Sequence, residues 1–295
     1  MRMHDGEILA DESLVRRLLR EQFPQWAELQ LHPIESAGTD HAIYRLGSGM
    51  CVRLPRIGWA AKQAEKEMQW LPRLAESLPL EVPVPLAMGE PAAGYPWRWS
   101  VGRWIEGEDA SSCEPDDVIE MAEKLAGFIV ALRSIAADGA PLSSQLGLRG
   151  APLATRDEAT RRAISQLADV LDTDRAMAVW EESLAAPEWT GPPTWHHGDL
   201  LPGNLIIRDG RLVAIIDFGG LGAGDPACDL IAAWSVFSGE SREAFRRALE
   251  TDDAMWARGR GHALSQAVIY IPYYRNTNPA GVQVAMRQVE AVLNG

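Results

Sequence analysis

Two stretches of the chain hold side chains whose types and spacing suit chemistry. They are Trp195-His196-His197-Gly198-Asp199-Leu200-Leu201-Pro202-Gly203-Asn204 and, further on, Ile216-Asp217-Phe218-Gly219. Between them, strand-like runs at 205–208 and 212–216 flank Asp209-Gly210, a strong hairpin-turn pair. The return strand of an antiparallel hairpin ends beside the point where the first strand began. Asp217 is therefore expected next to Asn204, 13 positions earlier. A carboxylate and an amide oxygen side by side are hard ligands, suited to Mg²⁺ held jointly with phosphate oxygens. Asp199, five residues before Asn204, can orient a hydroxyl and accept its proton. A metal-bound phosphate facing a positioned hydroxyl is the arrangement that phosphoryl transfer needs. Asp199 is thus the catalytic candidate, and Asn204 and Asp217 are the metal candidates.

The elements that must carry these groups fall into two parts. In residues 1–106, Asp11 can cap a helix with apolar positions Leu14, Val15, Leu18, Leu19 and Phe23. Strand-like runs follow at 29–34, 42–46 and 50–54, the last two joined by Gly47-Ser48-Gly49. A helix over 59–78 has the apolar stripe Ala64, Met68, Leu71, Leu74 and Leu78, with Lys62, Lys66, Gln69 and Arg73 mostly elsewhere. Further strands are expected at 85–88 and 98–105. Residues 107–295 read as mostly helical (118–137, 156–171, 175–186 and onward to 293) around the one hairpin. The fold class is α+β: a small strand-rich lobe, then a larger helical lobe.

Composition narrows the function. Of 295 residues, 46% are hydrophobic and 23% charged, an ordinary globular mixture. The net charge of −13 lacks the basic footprint of nucleic-acid binding. No apolar run reaches the roughly 18 residues of a membrane span. Three distant cysteines and no basic-then-apolar start point to a reducing, cytoplasmic setting without disulfides. The acid is uneven: the balance is −2 over residues 1–106 and −11 over 107–295. Such a surplus could draw a cationic ligand into the second lobe, with Asp225, Asp157, Glu158 and Glu181 as candidates. Gly222-Ala223-Gly224-Asp225-Pro226-Ala227 formally matches a dinucleotide-binding fingerprint, but five residues separate it from the preceding strand and helical sequence follows. No G-x-x-x-x-G-K-[ST] occurs, which removes the P-loop kinases.

The ordered set His197, Gly198, Asp199, Asn204 and Asp217, followed by Gly224-Asp225-Pro226 and Asp229, resembles the aminoglycoside phosphotransferase family over roughly residues 30–240. The resemblance implies a protein-kinase-like two-lobe fold, ATP or GTP as donor, Mg²⁺, and a small-molecule hydroxyl as acceptor. In that family a lysine on the third strand contacts the α- and β-phosphates and pairs with a helix glutamate. This chain has Arg53 there, which keeps the charge but replaces a point charge with a planar fork. Glu65 and Glu67 differ by about 200° around a helix, so only one can face Arg53, and Glu67 borders the apolar stripe. The phosphate-covering loop falls on 37–41, with Gly38 and Thr39 as candidate contacts. Residues 98–104 would pass through the hinge where the adenine edge is read. Asp225 and Asp229 are expected to support the loops rather than to catalyse.

The favoured reading is phosphoryl transfer to an aminoglycoside-like antibiotic, hence a resistance activity. A second is a metabolite kinase acting on a choline-, homoserine- or sugar-like alcohol. A protein kinase fits poorly, since the eight-residue step from Asp217 to Asp225 holds no Ser, Thr or Tyr. A catalytically inactive nucleotide-binding scaffold is the reading that Arg53 keeps alive.

Overall fold

The computed structural model describes residues 6–34, 40–146 and 149–295. The first helix, α1 (Glu12–Gln22), starts where Asp11 accepts the Leu14 N–H, and it buries Leu14, Val15, Leu18 and Leu19. Strands β1 (Leu31–Ile34), β2 (His41–Leu46), β3 (Met50–Pro55), β4 (Pro85–Gly89) and β5 (Trp99–Arg103) form one antiparallel sheet in the order β1-β2-β3-β5-β4. Helix α2 (Gln63–Leu74) lies between β3 and β4 in sequence. Its buried face is Ala64, Glu67, Trp70, Leu71 and Leu74, so Glu67 lies within the inward stripe.

The second part holds β6 (Glu108–Asp109), helices α3 (Val118–Ser134), α4 (Ser143–Leu146), α5 (Asp157–Gln166) and α6 (Thr173–Ala185), and strand β7 (Thr194–His196). The hairpin β8 (Leu205–Arg208) and β9 (Arg211–Ile215) follows, then β10 (Gly222–Gly224), α7 (Ala232–Ser235), α8 (Gly239–Ala248), α9 (Asp253–Tyr274) and α10 (Pro279–Leu293). Asp209 and Gly210 both have positive φ, +52° and +71°, as a two-residue turn matched to strand twist requires. The short pair β7–β10 has no counterpart in the sequence reading.

Buried apolar side chains form two clusters. One joins α1 to the sheet through Leu18, Leu19, Leu46, Leu54 and Trp99. The larger one includes α3, the hairpin and α9, and it also takes Trp70, Leu71 and Leu74 of α2. Trp70 sets its ring edge-on to Trp195 at 4.9 Å. Glu81 adds a backbone rung to β9: its N–H donates to Val213 O and its carbonyl accepts from Ile215 N, both at 3.0 Å. The chain between α2 and β4 is thereby stitched to the strand that leads to Asp217.

Candidate active site

Two antiparallel pairs frame the site. Loop 197–204 runs from β7 to β8, and loop 216–221 runs from β9 to β10. At one end the Ile216 N–H donates to Asn204 O at 2.9 Å, which brings Asp217 back beside Asn204. At the other, Gly222 pairs with His196. Held at both ends, the loops touch. Gly198 has φ +80°, and a Cβ there would stand 2.8 Å from Gly220 O, so only glycine fits. Asp217 itself is left-handed at φ +62°, a conformation costing an L-residue about 1–2 kcal/mol. Its own carboxylate offsets part of that cost by accepting from Gly219 N.

Asp199 is fixed on every side. Its Oδ1 accepts from Arg149 Nη1 and from Gln266 Nε2, the latter at 3.2 Å. Its Oδ2 accepts from Asn204 Nδ2 at 3.2 Å, and the same amide nitrogen donates to Asp199 O at 2.8 Å. Arg149 also donates to Gly198 O at 2.9 Å. Beneath the loop, fully buried Asp229 accepts from His197 N at 2.9 Å and Gly198 N at 2.7 Å. His197 Nδ1 accepts from Asp199 N at 3.1 Å, so its proton sits on Nε2 and is donated to Ile216 O at 3.0 Å. One imidazole therefore ties the two loops together. Arg149 and Gln266 were not singled out in the sequence. Both act across long separations and carry no local pattern.

From the first lobe, Arg53 Nη1 donates to Glu67 Oε2 at 2.6 Å, and its Nη2 lies 3.6 Å from Asp217 Oδ1. Glu65 instead points outward to Arg98 at 3.2 Å. Burial opposes the Arg53 charge, but Glu67 and Asp217 outweigh it and strengthen its hold on the proton. Burial likewise works against the Asp217 carboxylate, yet Arg53 above all keeps its pKa below the usual range. Lys66, which the apolar stripe leaves on the outer face, reaches inward: its Nζ donates to Gly219 O at 2.6 Å and Leu221 O at 3.0 Å. Burial lowers its pKa to about 8. His41, at the start of β2, is buried; desolvation and the Arg53 charge push it down to about 3, so it is neutral at ordinary pH. Gly38 and Thr39 lie outside the described residues.

The donor set tests whether Mg²⁺ fits. Asn204 spends its Nδ2 on Asp199, which turns its amide oxygen into the available ligand atom beside the Asp217 carboxylate. This is a hard, oxygen-only pair, and it fits. A second grouping, His196, Cys228 and Asp229, is buried and close-set, but Asp229 gives both oxygens to backbone N–H groups and His196 Nε2 bonds Ser143 Oγ at 2.7 Å. The acids considered for a cationic acceptor all have arginine partners. Asp225 accepts from Arg258 at 2.7 Å and caps Ala227, Asp157 and Glu181 share Arg161, and Glu158 bonds Arg162.

In solved structures the same architecture recurs. The GDP and kanamycin complex of APH(2")-IIia superposes with TM-score 0.74 at 18% identity, covering 94% of this chain and 97% of that one. The streptomycin-ATP-APH(2")-IIa ternary complex gives 0.60 at 19% identity, with 98% of each chain covered. Macrolide 2'-phosphotransferase MphH from Brachybacterium faecium gives 0.61 at 19%, covering 94% and 97%. No curated protein matches by sequence search. The sequence matches the phosphotransferase enzyme family over residues 30–262, past the limit near 240 drawn from the motifs and far enough to take in Arg258 and His262 of α9. The chain belongs to the phosphotransferase enzyme family.

Proposed function

We propose that this chain transfers the γ-phosphoryl group of ATP or GTP to a hydroxyl of a small molecule. The observation that carries the reading is that Asn204 bonds Asp199 through its amide and Ile216, next to Asp217, through its carbonyl, with Arg53 joining Asp217 to Glu67. The acceptor hydroxyl approaches Asp199, which orients it and takes its proton as the O–P bond forms. The bond from the γ-phosphorus to its bridging oxygen breaks, and the nucleoside diphosphate leaves. Arg53 contributes fixed positive charge on the nucleotide side, and Glu67 holds its fork in place. Asn204 and Asp217 would hold Mg²⁺, which when bound neutralises charge on the nucleotide phosphates. Arg149 and Gln266 position Asp199; its Oδ2 is shared with Asn204.

Release of ADP or GDP, coupled to a spectroscopic readout, tests the reading against aminoglycosides, macrolides and small alcohols. Mg²⁺-dependent release that requires an acceptor and a phosphorylated product by mass spectrometry are the expected results. Nucleotide binding with no transfer to any acceptor would favour the inactive scaffold. Fold neighbours solved with kanamycin and streptomycin support an aminoglycoside-like acceptor, whereas the acids considered for drawing such a cation are spent on arginines.

A further inference from the structure

Beside Asp199 the second lobe presents cations rather than free acids. Arg149 bonds the Asp199 carboxylate directly. Seven residues on, Arg156 donates its Nε to Ser265 Oγ at 2.8 Å, and Ser265 adjoins Gln266, whose amide reaches Asp199. Among the described residues Arg156 has no carboxylate within salt-bridge distance. It is mostly buried and stands at the N-terminus of α5, where the helix dipole also disfavours a cation. Burial, with Arg149 adding to it, brings its pKa down to about 10, so it remains charged. His262, one turn before Gln266 on α9, is 4% exposed, and its Nε2 has no hydrogen-bond partner. Burial and the surrounding Arg156, Arg149 and Arg258 hold it near 3, so it is neutral. Arg258 is cancelled by Asp225 and Arg149 by Asp199. Tyr270 of α9 feels the charges of both Asp199 and Asp40, the latter from the first lobe. Among the described residues, Arg156 is thus left without an anion next to the Ser265-Gln266 segment that reaches Asp199.

We infer that the acceptor carries an anionic oxygen group, a carboxylate or a phosphate, which Arg156 receives while the neighbouring hydroxyl meets Asp199. The inference rests on the phosphotransferase reading above. A guanidinium held by one bond through Nε leaves its two Nη groups as a fork for such a group. Asp157, Glu158, Glu181 and Asp225, each paired with an arginine, give a cation nothing comparable to bind.

The test uses matched acceptors on one skeleton: glucuronate and glucose 6-phosphate, neutral glucose, and cationic glucosamine, alongside aminoglycosides and linear hydroxy acids. Nucleotide release should give the highest kcat/KM within the anionic set, and comparing glucuronate with glucose 6-phosphate separates carboxylate from phosphate. Arg156→Gln should raise KM for the best anion at least tenfold with kcat little changed. Arg156→Lys should restore most of that loss, and unfolding curves show that both variants are folded. A neutral or cationic best acceptor, or a KM within twofold of wild type in Arg156→Gln, overturns the inference. If no compound is turned over, tryptophan fluorescence of the Mg²⁺–ADP complex is titrated with the same series. Anion binding that Arg156→Gln abolishes then upholds the anion site while the phosphotransfer reading fails, and no anion binding overturns the site.

Discussion

The two halves of the site are held by different forces. In the second lobe, the candidate base Asp199 and candidate metal ligands Asn204 and Asp217 sit on loops pinned through the backbone: strand register at both ends, two N–H groups on Asp229, one imidazole between the loops. In the first lobe, the nucleotide side is joined by side-chain charges reaching across to those loops, Arg53 toward Asp217 and Lys66 to the carbonyls of Gly219 and Leu221. Backbone pinning gives fixed geometry, which chemistry needs. Charge reaching across a cleft gives a contact that can be made and remade as nucleotide arrives. Damage to the first kind should therefore appear in turnover or folding, and damage to the second in nucleotide affinity.

The sharpest way to break this contrast is at Asp199. Asp199→Ala should cut turnover by roughly 10²–10⁴-fold, the usual range for a positioned acid–base group, with nucleotide Kd nearly unchanged. Turnover within a few-fold of wild type would remove Asp199 from the chemistry. Next comes the support beneath it. Asp229→Ala strands two buried N–H groups, each costing about 1–3 kcal/mol when unpaired. Expected are a clear loss of stability in denaturant titrations and a loss of activity, with the nucleotide side disturbed only through the fold. An unchanged denaturation midpoint would show that water or relaxation replaces the carboxylate.

The first-lobe half is probed by the two neighbouring glutamates. Glu67 is almost fully buried and bonds Arg53, whereas Glu65 is half-exposed on Arg98. Glu67→Gln should raise the nucleotide KM by about tenfold or more, since losing one partner of a buried pair leaves the other uncompensated. Glu65→Gln should change it little, an exposed pair being worth about 0–1 kcal/mol. Equal effects would mean that Arg53 does not depend on its buried partner.

The same contrast explains what could be read from the sequence. The hairpin was legible because Asp209-Gly210 marks its turn and its strands are long enough to show a pattern. Asn204 and Asp217 followed from that register, and Glu67 from helical phase. The pair β7–β10 was not legible: strands of three residues, Thr194–His196 and Gly222–Gly224, are too short to display a period. Arg149 and Gln266 reach Asp199 across 50 and 67 residues, by tertiary placement alone. Lys66 was misleading in a specific way. Its position on the helix argued for solvent, yet a long flexible stem carries the ammonium to carbonyls of the other lobe. The acid of the second lobe was visible as a sum, but which of its carboxylates are paired with arginines is known only from the structure.

The smallest expected effect is a pH dependence of stability that comes from Lys66. Its pKa is about 8 in the folded chain, below the ordinary 10.5, because burial outweighs the attraction of Glu67 and Asp217. Below pH 8 the lysine is protonated both folded and unfolded, so it adds no slope. Between about 8 and 10.5 the unfolded chain binds the proton more tightly, and the Lys66 contribution to stability rises with pH. An exposed lysine held by an ion pair would do the opposite, losing stability as it deprotonates. Lys66→Met should flatten the slope in that window, measured as the difference between wild-type and variant denaturant midpoints at matched pH. Glu67→Gln removes a charge that favours the ammonium and should extend the rising region to lower pH. A wild-type minus Lys66→Met difference that falls from pH 8 to 10 would mean that the ammonium is held mainly by the carboxylates, and that the inter-lobe contact is an ion pair rather than a buried amine on two carbonyls.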